Sequence, residues 1–311
     1  MPTSDEIILH HYDASPFSNK VRLLLGLKEV TWHSVLTPNM MPKPDLVPLT
    51  GGYRRAPVMQ IGADIYCDSQ AIMAGIERRS PDPKADFGAS WPVNIWADRM
   101  WFQHSVAIIF GLLGDHVDPA FMADREKLSG RPFDIEAMAA AAEPSKAQWR
   151  AQAAWLEKAL VETGEGFLFG SVPSVGDLAA HMNIWFVASV FPDVANELLA
   201  GLPYVQSWRE AIEELGEGSR SECSGEQALA VATRSEPVDL AIDHDLAFAM
   251  DVAVGDEVIV MADDYGRDPI SGTLLGANSE RIVIRRSDDI IGTTHVHFPR
   301  LGFVIAKAAA T

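Results

Sequence analysis

Ser15 stands where a hydroxyl group can act on a charged ligand. It precedes Pro16 and a run of helix-forming residues, so the sequence predicts that it lies at the start of a helix. Free backbone amides and the helix dipole favour negative charge there, and a hydroxyl group can donate a hydrogen bond to a thiolate. Such a bond lowers the pKa of a bound thiol from ~8.5 toward neutrality. Ser15 is therefore a candidate for activating a thiol, and simple capping of the helix is the alternative.

The neighbouring side chains narrow this chemistry. Ser18 stands where a C-x-x-C pair needs its second cysteine, which excludes dithiol oxidoreductase chemistry at this turn. Tyr12 is a second hydroxyl nearby, expected to pack or to line a pocket. Cys67 and Cys223 are too few for a disulfide framework or a thiolate metal cluster, and we expect Cys67 to be a buried, inert thiol. This cysteine usage predicts a reducing, cytoplasmic location.

The segments around Ser15 form an α/β pattern. The apolar run EIILHHY predicts a strand, the turn DASPFSN follows, and KVRLLLGLKE has helix composition. VTWHSVL predicts a second strand, APVMQI and IYCD predict a hairpin, and SQAIMAGIERR predicts a closing helix. Asp68 and Ser69 stand at the turn before this helix, where free amides and a hydroxyl group suit a carboxylate.

The rest of the chain changes pattern twice. From Pro92 to about Leu215, apolar residues recur at helical spacing, and Ser174 with Asp177 predicts a capping box at the start of a buried helix. Residues 217–236 are polar and rich in Gly and Ser, which predicts a linker with one helical turn. After Pro237, short β-rich runs separated by turn clusters predict a small sheet or barrel. Asp263, Asp264 and Asp268 lie in one of these clusters and are expected to form a turn.

Charge excludes some classes of partner. Lys and Arg total 25 against 43 Asp and Glu, a net charge of −18, which disfavours binding to nucleic acid or anionic membranes. Residues 1–80 hold eight basic and eight acidic residues, so the negative charge lies beyond them and a small anion is expected to bind in this neutral part. No stretch approaches the ~18 apolar residues of a membrane span, and the acidic start predicts no secretion signal.

Four motifs together resemble the glutathione S-transferase family. They are SPFSNKVR at residues 15–22, RAPV at 55–58, DSQAI at 68–72 and PSVGD at 173–177, and the resemblance covers residues 7 to about 215. It implies a multidomain α/β, all-α and small all-β protein. Its expected parts are a thioredoxin-like glutathione-binding domain at 1–82, a glutathione-transferase-type helical bundle at 90–216, a linker at 217–236, and a small β domain of unassigned role at 237–311.

The same resemblance assigns roles to single residues. Ser15 matches the catalytic Ser or Cys position that activates the thiol of glutathione, the co-substrate. Ala56 and Pro57 match a cis peptide bond whose preceding backbone pairs with the cysteinyl part of glutathione. Asp68 and Ser69 match the acidic-Ser pair that holds the γ-glutamyl group. Lys43 has the spacing of a ligand for the glycyl carboxylate, and Arg54 and Arg55 are alternatives for it.

The resemblance further implies an enzyme in which the thiolate attacks a hydrophobic small-molecule electrophile between the two domains, and a homodimer. Trp96, Met100, Trp101 and His104 recur at helical spacing and are open candidates for facing that cleft. A non-catalytic binding or scaffold protein, whose C-terminal β domain docks a partner, is the alternative. No metal site is predicted, because His295 and His297 share a strand face without an identifiable third ligand.

Overall fold

A ten-stranded sheet runs through the computed structural model, which describes residues 1–238 and 242–308. The spatial order within these ranges is β10-β6-β7-β8-β9-β4-β3-β1-β2-β5. The strands are β1 (Ile7–His11), β2 (Thr31–Leu36), β3 (Val58–Ile61), β4 (Asp64–Cys67), β5 (Ser219–Glu222), β6 (Glu257–Ala262), β7 (Ile270–Ala277), β8 (Arg281–Asp288), β9 (Gly292–Pro299) and β10 (Phe303–Lys307).

The N-terminal third of the sheet is thioredoxin-like, as predicted. β1 is buried at all five positions because Ile7, Ile8 and Leu9 begin it and it lies between two other strands. It pairs in parallel with β2 and antiparallel with β3, which pairs antiparallel with β4. The helices of this part are α1 (Pro16–Leu27), α2 (Val47–Thr50) and α3 (Ser69–Arg79).

The middle of the chain is a helical bundle, also as predicted. Within the described residues, no helix is both long and apolar enough to cross a membrane. The bundle is built from α4 (Ser90–Trp96), a π-helical segment (Ala97–Trp101), α5 (Phe102–Leu113), α6 (Pro119–Ser129), α7 (Ile135–Thr163), α8 (Val175–Val190), α9 (Pro192–Leu199) and α10 (Pro203–Glu213).

The start of α8 confirms the predicted capping box. Ser174 Oγ accepts from the Asp177 amide at 3.2 Å, and Asp177 Oδ2 accepts from the Ser174 amide at 2.9 Å. The other oxygen of Asp177 accepts from Trp208 Nε1 at 2.8 Å and from the Leu168 amide at 2.9 Å. A carboxylate buried in the helical core is thus fully hydrogen-bonded, which fixes α8 against α10 and the preceding loop.

Residues 217–236 are more ordered than the predicted linker. They form β5, which pairs in parallel with β2, and helix α11 (Gly225–Thr233). The short apolar run is the physical reason, since Ala228 and Val231 bury against Ile8 and Val35 of the sheet. Ser224 and Gln227 form a second capping box at the start of α11.

The C-terminal strands β6–β10 confirm the predicted β-rich region and extend the N-terminal sheet. They form an antiparallel arrangement in which β9 also pairs in parallel with β4. A short helix, α12 (Leu246–Ala249), precedes them. Val58, Ile65 and Cys67 share one buried apolar cluster with residues of the C-terminal strands, such as Ile282 and Val296. The sheet and its core therefore run continuously from one region into the other.

Asp64 is a buried carboxylate at this junction. Its Oδ1 lies 2.9 Å from His297 Nε2, and its Oδ2 accepts from the Val238 amide at 2.9 Å. Tyr66 stacks on the His297 ring with centroids 4.3 Å apart. Burial lowers the pKa of His297 despite the neighbouring carboxylate, so a neutral ring donates its Nε2–H to Asp64.

Asp64→Asn is expected to reduce the free energy of unfolding by about 1–3 kcal/mol, because an amide has one acceptor oxygen where the carboxylate has two, so that either the Val238 N–H or the His297 Nε2–H then faces an N–H donor. Urea unfolding measures this change. Asp289→Asn is the matched control, since Asp289 is exposed and belongs to the same C-terminal region. Equal stability of the Asp64 variant and the wild type would contradict the role given to this contact.

Candidate active site

Ser15 caps α1 and keeps its hydroxyl hydrogen available. Its Oγ accepts from the Ser18 backbone amide at 3.2 Å, and the residue is 1% exposed. An oxygen that accepts one bond can still donate its own hydrogen. The first turn of α1 holds no acidic residue, so its positive end is not neutralised by a side chain of that turn. Ser15 can thus cap the helix and stabilise an anion at the same time.

The Ala56–Pro57 peptide bond is cis and immediately precedes β3. β3 is held between β1 and β4, so the turn that contains this bond is fixed by the sheet on both sides. Both residues line a small cavity of about 70 Å³.

Asp68 and Ser69, at the start of α3, also line this small cavity. Asp68 Oδ1 accepts from the Gln70 amide at 3.0 Å and caps the helix. The backbone of Asp68 has φ 82°, a conformation that is strained for a residue with a side chain. Strain of this kind persists where the surrounding structure imposes it, and it is common at ligand sites.

A larger cavity of about 380 Å³ adjoins the small one. Ser15, Lys43 and Tyr12 line it, and Ala56 is shared by the two. The six residues singled out from the sequence therefore meet in one two-lobed cleft. The other residues common to both lobes are Phe17, Arg55, Phe102 and Tyr265.

Lys43 is a buried cation at one end of the larger lobe. It is 4% exposed, and its Nζ donates to the Arg54 carbonyl at 2.7 Å. Burial, together with the neighbouring Arg125, lowers the pKa of Lys43 to about 8. An anion bound beside this amine would stabilise its charged form.

Arg54 and Arg55, the alternatives to Lys43, already have carboxylate partners. Arg55 donates to Asp264 at 3.2 Å and lies 4.0 Å from Asp68. Its guanidinium also lies over the rings of Tyr53, Tyr265 and Phe303, at 5.2, 5.1 and 5.7 Å from their centroids. Arg54 pairs with Asp124 at 3.1 Å and with Asp268 at 3.5 Å.

The loop 263–268 between β6 and β7, whose aspartates are predicted to form a turn, also forms part of the wall of the cleft. Besides the bonds of Asp264 and Asp268, Asp263 pairs with Arg99 at 2.8 Å, and the Gly266 amide donates to the Leu128 carbonyl at 2.8 Å. These contacts fasten the C-terminal region to both other regions. No local pattern in the sequence marks these contacts, and composition shows only that acidic residues are in excess beyond residue 80.

The aromatic residues that face the cleft differ from the candidates of the sequence. Trp101 is fully buried and packs against Trp149 at 5.1 Å, and neither lobe is lined by Trp96, Met100 or His104. Phe102, Val106 and Phe110 of α5 line the larger lobe instead. The π-helical segment before α5 adds a residue to one turn, so positions after it no longer follow a 3.6-residue period counted from α4.

Cys67 lies outside the cleft lining and is buried, as predicted. Burial raises the pKa of its thiol well above the usual value, so the group is uncharged at neutral pH.

Two protein-family models match the chain. The N-terminal domain of glutathione S-transferases matches residues 9–84, and the C-terminal domain matches residues 139–211. A search of curated proteins finds no match.

One solved structure extends the similarity to nearly the whole chain, and others cover about two thirds of it. A GST-like protein from Pseudomonas syringae is 34% identical with a TM-score of 0.80, covering 97% of this chain and 100% of that one. A glutathione S-transferase from Rhodospirillum rubrum F11 shares the fold at 16% identity and a TM-score of 0.51, covering 67% of this chain and 87% of that one. A Tau class glutathione S-transferase from mango shares the fold at 14% identity and a TM-score of 0.52, covering 68% of this chain and 92% of that one.

The chain therefore belongs to the glutathione S-transferase family and is a glutathione transferase-like enzyme. The Pseudomonas protein matches it over the C-terminal strands as well, so the three-part arrangement occurs in more than one protein.

Arg55→Met is expected to lower the free energy of unfolding by about 2 kcal/mol, because Asp68 and Asp264 lose their shared cation. The expected loss of stability is smaller than the loss on breaking a fully buried ion pair, because Asp264 is partly exposed to solvent. Urea unfolding measures it, with Arg131→Met as control, since Arg131 is exposed. A loss no greater than that of the control would show that Arg55 does not hold the loop in place.

Proposed function

We propose that the two-lobed cleft binds glutathione and that Ser15 stabilises its thiolate for attack on a hydrophobic electrophile in the larger lobe. The observation that carries this proposal is the position of Ser15, a buried helix cap with a free hydroxyl hydrogen on the wall of a cavity that continues to Pro57 and Ser69. The family of the chain uses glutathione as co-substrate.

Each part of glutathione has a suitable group in the cleft. The γ-glutamyl end fits the small lobe beside Asp68 and Ser69, where the start of α3 favours a carboxylate. The cysteinyl backbone fits beside Ala56, in the manner of an added strand on β3. The glycyl carboxylate fits beside Lys43, whose ammonium group has no carboxylate partner among the described residues.

Catalysis follows from activating the thiol and holding the electrophile close to it. A hydrogen bond from Ser15 and the field of α1 favour the thiolate over the thiol, which raises the concentration of the nucleophile at neutral pH. The apolar wall of the larger lobe holds the electrophile beside the sulfur, so that the reaction becomes effectively unimolecular. The homodimer and the cytoplasmic location stay predictions of the sequence.

Ser15→Ala is expected to raise the pKa of the bound glutathione thiol and to lower kcat by about 10- to 100-fold, because one hydrogen bond to a charged group is lost. Glutathione affinity should change little at a pH below the pKa of the bound thiol, where the thiol is protonated both in free and in bound glutathione. The ultraviolet absorbance of the thiolate over a pH series measures the pKa, and calorimetry measures the affinity.

Ser18→Ala is the matched control for this experiment. The Ser18 side chain is buried one turn from Ser15, and its Oγ has no hydrogen-bond partner among the described residues. If both variants keep the wild-type thiol pKa and turnover, Ser15 only caps the helix. If wild-type protein fails to bind millimolar glutathione, the transferase proposal itself is wrong.

The affinity for S-methylglutathione, which has no ionisable thiol, is expected to fall as the pH rises through about 8, because Lys43 then loses its charge. Below this pH the ammonium pairs with the glycyl carboxylate. Lys43→Met is expected to bind about ten-fold more weakly at pH 7 and to lose this pH dependence. Calorimetry at several pH values checks both, and an unchanged pH profile in Lys43→Met would remove Lys43 from the binding site.

A further inference from the structure

We propose that the electrophile of this enzyme is an aromatic molecule with a negatively charged group, and that Arg125 binds this charge. The inference rests on the proposed function, since it concerns the second substrate of the same cleft. Three features of the larger lobe carry it: its aromatic wall, its charge, and the unfilled hydrogen-bonding capacity of Arg125.

The wall of the larger lobe is mainly aromatic. Phe110 and Phe121 stack with centroids 5.8 Å apart, and Phe133 meets Phe110 edge-on at 5.1 Å. Phe102 lies 4.8 Å from Phe17 and 5.9 Å from Phe186. Flat rings favour a flat aromatic ligand, which can stack on one ring and meet another edge-on. The cavity volume of about 380 Å³ accommodates such a molecule.

The charge of this lobe is opposite to that of the protein. Among the described residues that line it, four are basic (Lys43, Arg54, Arg55 and Arg125) and none is acidic, although the chain carries a net charge of −18. Arg54 is paired with Asp124 and Arg55 with Asp264, and neither aspartate lines this larger lobe. Two cations, Lys43 and Arg125, remain to face a ligand. Lys43 is assigned to the glycyl carboxylate of glutathione, which leaves Arg125 for the second substrate.

Arg125 has donors to spare. Its guanidinium lies 4.5 Å from the centroid of the Phe121 ring, and one Nη donates to the Asn39 carbonyl. The nearest ion-pair partner is Asp124 Oδ2 at 3.8 Å, beyond hydrogen-bond distance, while Asp124 Oδ1 already accepts from Arg54. The Nε of Arg125 is buried and has no hydrogen-bond partner in the described structure.

These features coincide at one place. The Phe121 ring and the Arg125 guanidinium lie against each other on α6. The carboxylate of an aromatic carboxylate can therefore pair with the guanidinium while the ring of the same molecule packs on the phenylalanines. In the reaction, the glutathione sulfur bonds to the electrophilic ring carbon, and the leaving group, such as chloride, departs with the electron pair of the broken bond.

Calorimetry with dinitrobenzoate and dinitrobenzene, which differ only by the carboxylate, tests the binding part without any reaction. With S-methylglutathione bound, wild-type protein is expected to bind the benzoate about ten-fold more tightly than the neutral ring. Arg125→Met should lose this preference, Arg125→Lys should keep part of it, and the control Arg131→Met should keep all of it. Equal affinities in the wild type, or a preference that survives in Arg125→Met, would overturn the proposal.

Turnover of the two corresponding chlorodinitro compounds, with and without the carboxylate, extends the test to the reaction. The kcat/KM ratio of charged to neutral substrate should fall about ten-fold in Arg125→Met, because intrinsic reactivity cancels in the comparison with the wild type. If neither glutathione nor S-methylglutathione binds, the transferase function is refuted, and the benzoate preference measured on the protein alone then tests the role of Arg125 by itself. Binding of S-methylglutathione without the benzoate preference would refute only the role of Arg125.

Discussion

The parallel pairing of β9 with β4 is the contact on which the site depends. β4 would otherwise be an edge strand with unpaired backbone groups, and β9 satisfies them along the register from Asp64 to Tyr66. The same pairing joins the two apolar faces into one core and buries the Asp64 carboxylate against His297. Because β6 and β7 are held in the same sheet, the loop 263–268 between them comes to lie at the wall of the two-lobed cleft.

Electrostatics explains why this loop stays in place. Arg54, Arg55 and Arg99 of the N-terminal and helical regions meet Asp268, Asp264 and Asp263 of the loop. An isolated exposed pair contributes little, but Arg55 is nearly buried and shares its charge with two carboxylates and three rings. The aspartates of the loop thus pair with the arginines at one side of the cleft, whereas Lys43 and Arg125 face the cavity.

Much of the site follows from local sequence. Ser15 before Pro16, the Ala56–Pro57 turn, and Asp68 at the start of α3 all depend on strand-to-helix and loop-to-strand junctions that a few neighbouring residues define. The capping box of Ser174 and Asp177 is equally local. The strand β5 is different, because a polar segment becomes a strand only where an edge such as β2 offers it backbone partners. The aromatic wall depends on the π-helical segment, which no periodicity in the sequence marks.

The sequence by itself determined the thioredoxin-like start, the helical bundle, the presence of further strands and the residues of the candidate glutathione site, because each rests on short-range patterns and on motifs of fixed spacing. Only the tertiary structure decided that the C-terminal strands continue the first sheet, that Asp264 and Tyr265 close the cleft, and that Phe102 and Arg125 face its interior. Strand pairing and ion pairing between residues some 200 positions apart depend on which surfaces meet in space. Composition shows an excess of acidic residues beyond residue 80, but packing decides which basic residues they meet.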